Sequence, residues 1–145
     1  MSDLVIFLDC DGVLNNTKTT ERIEGFLGLD PALVQRCLDL LTRTGARVVL
    51  SSTWRLYPHI LAAVTAAIPP SDVTPEVRER RIGQYVSRGT EIAMWLAQHP
   101  EVTRYAIIDD DHDMLAGQAA FFTNPKRGPP MAVVERVARY LLSDD

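Results

Sequence analysis

Two aspartates one residue apart, Asp9 and Asp11, close the apolar run Leu4–Leu8, and a run of three acids, Asp109, Asp110 and Asp111, closes a second one at Tyr105–Ile108. Strand side chains alternate faces, so Asp9 and Asp11 are expected to point one way and Cys10 the other. Carboxylates held together repel, and burying them costs more unless a cation neutralises them. An oxygen-only, carboxylate-rich site suits Mg²⁺. Such a site suits phosphate chemistry, because the metal offsets phosphoryl charge that the carboxylates would otherwise repel. A further apolar run, Arg47–Leu50, ends in Ser51-Ser52-Thr53. Ser51 offers a hydroxyl there and, with Ser52, backbone N–H groups for phosphoryl oxygens. The basic residue still needed has a candidate in Arg88, at the mouth of a helical stretch.

These residues can converge only if the runs that precede them lie side by side. Leu4–Leu8 is continuously apolar, as expected of a strand covered on both faces. Residues 13–29 lack periodicity and read as a loop or small hairpin. Asp30-Pro31 reads as an N-cap with proline at the first helical position. Leu33, Val34, Cys37, Leu38 and Leu41 follow at helical spacing, and Gly45 is placed to stop the helix. Further helices are expected around Pro58–Ile68, over Thr90–Gln98, briefly near Asp113–Gly117, and from Pro130 to about Leu142. A strand is expected at Ala119–Thr123, and the Pro- and Arg-rich stretch up to Arg88 has room for a short one. Buried strands alternating with helices imply an α/β fold, a Rossmann-like three-layer sandwich on a central parallel sheet. Ligands of such sheets bind at the carboxyl ends of the strands, where the polar residues above are gathered.

Four segments carry a resemblance. Phe7-Leu8-Asp9-Cys10-Asp11-Gly12-Val13-Leu14-Asn15 resembles the first motif of the haloacid dehalogenase (HAD) superfamily, and Leu50-Ser51-Ser52-Thr53-Trp54-Arg55 its second. Arg88-Gly89-Thr90-Glu91-Ile92 stands where that family places a Lys or Arg at a helix start, and Ile107-Ile108-Asp109-Asp110-Asp111-His112-Asp113 resembles its fourth motif. The combination is most similar to a capless subgroup associated with RNA-repair proteins. The resemblance implies that Asp9 is a nucleophile forming an aspartyl-phosphate and that Asp11 is the general acid and base. It implies Mg²⁺ held by the Asp9 carboxylate, the Asp11 carbonyl and Asp109, with Asp110 or Asp113 completing the shell. Ser51 and Arg88 would bind the phosphoryl group. The family commonly has Lys where Arg88 stands, and Arg keeps the charge in another geometry.

Other residues invite plainer readings. Cys10 is expected in the core, and Trp95 lies on an apolar helical stripe. His59, His99 and His112 lack zinc-ligand spacing, although His112 falls inside the acidic loop. Trp54 follows the second motif and offers a surface for stacking a base. Arg55, with Arg78, Arg80 and Arg81, is a candidate contact for backbone phosphates, against the plainer reading of a solvated mixed-charge face.

The chain's 145 residues suit a single domain, residues 1–145, and its net charge of −4 argues against nonspecific, charge-driven nucleic-acid binding while leaving room for a local basic site. No apolar stretch approaches the roughly 20 residues of a membrane helix. Two cysteines and no secretory pattern suggest a cytoplasmic setting. Residues 13–29 are too few for a cap domain, and 56–87 must already hold a helix and a short strand, so the site should be open. An open site favours a polymer end or a phosphoprotein over a sugar phosphate, and together with the subgroup resemblance it implies a nucleic-acid end, such as a 3′-phosphate. A phospho-receiver domain would need an acid where Ser51 stands. A phosphate-binding module without turnover has no need of both Asp9 and Asp11, and a dehalogenase has no use for Asp11.

Overall fold

The computed structural model describes residues 3–23, 25–75, 86–124, 126 and 129–143. Strand β1 (Leu4–Leu8) leads through a turn to a small antiparallel hairpin, β2 (Arg22–Ile23) and β3 (Phe26–Leu27). Helix α1 (Pro31–Thr44) follows, then β4 (Arg47–Leu50), one 3₁₀ turn at Thr53–Leu56, α2 (Pro58–Ala67) and β5 (Asp72–Val73). The remainder comprises α3 (Arg88–Ala97), β6 (Arg104–Asp109), β7 (Ala120–Phe122) and α4 (Met131–Leu142). Five strands form one sheet in the order β5-β4-β1-β6-β7, and every pairing in it is parallel.

Alternation along the strands divides the core in two. Leu4, Ile6, Leu8 and Cys10 pack with Leu50, Ile108 and residues of α1, α2 and α4 on one face. Val5 and Phe7 pack with Val49, Ile107 and two residues of α3, Ile92 and Trp95, on the other. The sheet therefore lies between helical layers, as the unbroken apolar runs require. Cys10 and Cys37 are free and buried, and burial pushes both thiols up, that of Cys37 to about 12, so neither is a ready nucleophile.

The ends of α1 follow from local chemistry. Asp30 Oδ1 accepts from the Ala32 and Leu33 N–H groups, and Gly45, at φ 71°, donates its N–H to the Leu41 carbonyl. One expectation fails. Residues 113–115 are irregular and 116–117 form a turn, so no helix forms here: Gly117 takes φ 82° and the Gln118 side chain accepts from the Leu115 N–H. A side chain that binds backbone in this way competes with a helical ladder. Arg78, Arg80 and Arg81 lie outside the described residues. The hairpin β2–β3 is the folded element between β1 and α1, and its Ile23 and Leu27 line a cavity together with Asp11. Among the described residues no helix is long and apolar enough to cross a membrane.

Candidate active site

Strand register brings the expected residues together. Leu50, Leu8 and Ile108 are partners across β4, β1 and β6, so the next residue of each strand, Ser51, Asp9 and Asp109, stands in one row at the carboxyl edge. Two ladder bonds extend into that row, from the Asp9 N–H to the Ile108 carbonyl and from the Ser51 N–H to the Leu8 carbonyl. Adjacent strands are about 4.8 Å apart, so these side chains meet without any further device. Carboxylate oxygens of Asp9, Asp109 and Asp110 lie within 4.8 Å of one another. Asp9 and Asp109 are buried, and Asp110 is partly so.

Helix α3 delivers the cation. Arg88, its first residue, donates from Nη1 to Asp109 Oδ2 at 2.7 Å and sits 3.3 Å from Asp9 Oδ1. Its helix start is fixed from below: Asp113 Oδ2 accepts from the Arg88 N–H, the Asp113 carbonyl accepts from the Gly89 N–H, and Gln118 Nε2 donates to the Gly89 carbonyl. A Cβ on Gly89 would come within 2.6 Å of the Leu115 nitrogen, so glycine is what permits this approach. Asp113 thus holds the α3 start and is not among the three clustered carboxylates. His112 stacks on Phe122, with ring centroids 3.8 Å apart.

Asp11 stands apart from the cluster, exposed, and is held at both oxygens. Asn15 Nδ2 donates to Oδ1 at 3.0 Å and Trp54 Nε1 donates to Oδ2 at 3.0 Å. Asn15 is 1 % exposed, accepts the Gly12 N–H and donates to the Gly28 carbonyl, so one amide organises the whole turn after β1. It sits in the first motif, but nothing in its type alone announces that role. Gly12 completes the turn at φ 79°, and a Cβ there would lie 2.5 Å from Asp110 Oδ2. Gly12→Ala should therefore displace Asp110 and cost about 1–2 kcal/mol for the left-handed backbone alone. A lowered Tm with a right-shifted Mg²⁺ titration of activity checks both effects; an unchanged titration would free Asp110 from a metal role.

Trp54 lines a cavity as well as holding Asp11, and Arg55 takes a different part from the one its sequence position suggests. Trp54 is 8 % exposed and borders a cavity of about 360 Å³ lined also by Asp11, Ile23, Leu27, Thr53, Tyr57 and Ile60. Arg55 is no free cation for phosphates. Its side chain is 3 % exposed, and all five of its N–H bonds are used: by the carbonyls of Ser51, Ser52, Thr74 and Pro75, and by Glu91 Oε2. It clamps the strand ends β4 and β5 to α3. Ser52 Oγ accepts from the Trp54 N–H and caps the 3₁₀ turn. Ser51 Oγ, in contrast, is buried with no hydrogen-bond partner among the described residues. A buried hydroxyl without a partner is costly, and here it lies in the same row as Asp9.

Electrostatics separate the acids. Burial first, and then the Asp109 charge, push the Asp9 carboxyl up to about 9, with Arg88 opposing them. Burial also raises Asp110. Burial would lower the Arg88 guanidinium, but Asp9 and Asp109 outweigh it and hold it above its ordinary value. With all three carboxylates ionised against one guanidinium, the site would be short of positive charge. A hard divalent cation fits that deficit and the all-oxygen donor set.

A family model for the HAD domain in Swiss Army Knife RNA repair proteins matches residues 5–128. The chain belongs to this family. No curated protein and no solved structure matches it. The matched span contains every HAD motif residue described above, and the five-stranded parallel sheet with four helices among the described residues is the α/β architecture expected of a HAD domain.

Proposed function

We propose that this HAD domain is a Mg²⁺-dependent phosphomonoesterase that works through an aspartyl-phosphate on Asp9 and acts on a phosphorylated nucleic-acid end. The observation that carries the chemistry is the buried cluster of Asp9, Asp109 and Asp110 beside Arg88 at the strand ends. Asp9, Asp109 and Asp110 would hold the ion, with the Asp11 carbonyl. Bound Mg²⁺ would keep Asp9 ionised and offset phosphoryl charge.

An Asp9 oxygen attacks phosphorus, the bond from phosphorus to the leaving oxygen breaks, and Asp11 gives that oxygen its proton. Water then attacks the aspartyl-phosphate, Asp11 takes the water's proton, and Asp9 leaves with release of inorganic phosphate. Each Asp11 oxygen accepts one fixed donor and keeps lone-pair capacity for the travelling proton. Arg88 and the Ser51 hydroxyl would bind the phosphoryl oxygens.

The general acid must touch the leaving oxygen, so the body of the leaving group belongs beside Asp11. The cavity there is apolar and aromatic, with Trp54, Tyr57, Ile23, Leu27 and Ile60 in its wall. That lining favours a nucleobase over a sugar. Tyr57 is the cleaner probe of it, being 57 % exposed, whereas Trp54 also holds Asp11. Stacking contributes roughly 1–3 kcal/mol per base, so Tyr57→Ala should lose about one to two decades of kcat/KM on a phosphorylated oligonucleotide. It should lose little on a small aryl phosphate. Equal losses on both would remove the base from this cavity. The direct test of the reading is phosphate release, with and without Mg²⁺, across nucleotides, 3′- and 5′-phosphorylated oligonucleotides, phosphopeptides and sugar phosphates. Oligonucleotides should be turned over best, and preference for a sugar phosphate or a phosphopeptide would overturn the substrate class.

A further inference from the structure

The described cations are unevenly committed. Every described arginine has a partner. Arg22, Arg36, Arg55 and Arg104 donate to backbone carbonyls, Arg43, Arg47, Arg88 and Arg139 lie against carboxylates, and Arg136 lies over the Phe121 ring. The chain has two lysines, Lys18 and Lys126, and among the described residues neither ammonium meets a carboxylate. Although 108 positions apart in sequence, both line one cavity of about 390 Å³, together with Asn16 and Thr17.

That cavity is tied to the active-site turn. Its walls are Asn16, Thr17 and Lys18, in the loop after β1 that carries Asp11, and Lys126, beyond β7. The Thr123 hydroxyl donates to the Gly12 carbonyl at 2.7 Å, and the Thr17 hydroxyl donates to the Lys126 carbonyl at 3.4 Å. Asn16 Oδ1 accepts from the Lys18 N–H, and Asn124 Oδ1 from the Lys126 N–H, each at 2.9 Å, which fixes the backbone at both lysines. In the sheet order, β4 and β7 lie on opposite sides of β1. The apolar cavity therefore flanks Asp11 on the β4 side and the lysine cavity lies on the β7 side.

We infer that Lys18 and Lys126 form a second anion subsite that holds an internucleotide phosphate of a single strand whose end is at Asp9, a proposal that rests on the nucleic-acid reading of the site. Two ammonium groups that meet no carboxylate among the described residues, around one cavity lined by polar side chains, suit a phosphodiester, which Lys binds as a point charge. In a chain of net charge −4, such a pair also gives an approaching polyanion a place to land.

The test uses the full chain in Mg²⁺ buffer and a labelled, unphosphorylated single-stranded oligonucleotide, which offers internucleotide phosphates but nothing to hydrolyse. Binding is read by fluorescence anisotropy over a range of salt. Each phosphate contact contributes about 0.7 to the slope of log affinity against log salt for single strands. Lys18→Gln with Lys126→Gln should therefore flatten that slope by about 1.4 and weaken binding on the order of tenfold at low salt. Lys18→Arg with Lys126→Arg should restore the slope. Mononucleotide binding and aryl-phosphate turnover should stay within about twofold of wild type. An unchanged slope, no binding by the wild type, or an equal loss on a mononucleotide would each overturn the subsite. The nucleic-acid reading is judged separately: wild-type protein that binds the oligonucleotide yet never hydrolyses a phosphorylated one would refute that reading and leave the subsite standing.

Discussion

Asp9→Asn should abolish Mg²⁺-dependent phosphate release, by a factor of at least about 10⁴, while the fold survives. Loss of the nucleophile in a covalent mechanism removes the step on which every later one depends, and the amide is both a poor nucleophile and a neutral ligand. The same substitution has a second, opposite signature in the absence of metal. The native Asp9 carboxyl titrates at about 9, above the unfolded value near 4. Between those values the native state binds the extra proton, so this group's contribution to stability is full below about pH 4 and declines as pH rises toward 9. Asn lacks that decline. In EDTA the variant's Tm should equal or exceed that of wild type, with the gap widening from about pH 5 to about pH 8. Mg²⁺ should raise the wild-type Tm more at the higher pH, because it competes there with a scarcer proton. Loss of activity with a collapsed Tm would mean that Asp9 is structural.

Asp11→Asn should cost on the order of 10²–10⁴ in rate, the usual contribution of a general acid. The loss should depend on the leaving group. Aryl phosphates, whose leaving oxygen needs less protonation, should suffer less than alkyl or nucleoside phosphates. The structure adds a second effect, since the introduced amide would keep an acceptor oxygen toward only one of Asn15 and Trp54 and would set its NH2 group against the other donor. Equal losses for aryl and alkyl substrates would assign Asp11 to holding the turn and not to proton transfer.

The fold was readable because its three central strands, β4, β1 and β6, are largely buried and its first helix carries strong signals at both ends. Asp30-Pro31 and Gly45 mark α1 through local backbone chemistry that needs no tertiary context. The row of Asp9, Ser51 and Asp109 was readable for a related reason: in a parallel sheet, residues that end adjacent strands in register must be neighbours. What escaped the sequence depends on contacts between distant segments. Arg55 looks like an exposed basic residue beside a motif, and only the carbonyls of Thr74 and Pro75 with Glu91 reveal it as a buried clamp. Trp54 gives no hint that its indole N–H reaches Asp11, forty-three positions earlier. The segment 113–117 carries helix-like composition, yet Gln118 and Gly117 divert its backbone. The pairing of Lys18 with Lys126 across one cavity has no local signature either.

The central claim is a covalent phosphoryl-enzyme at Asp9, and the most direct measurement is mass spectrometry of the acid-quenched protein during turnover of a phosphorylated substrate. One phosphoryl group should appear on the peptide that contains Asp9, only with Mg²⁺ present, and should disappear when excess unlabelled substrate chases a labelled pulse. Substantial turnover with no adduct, or with the adduct on another residue, would contradict the account.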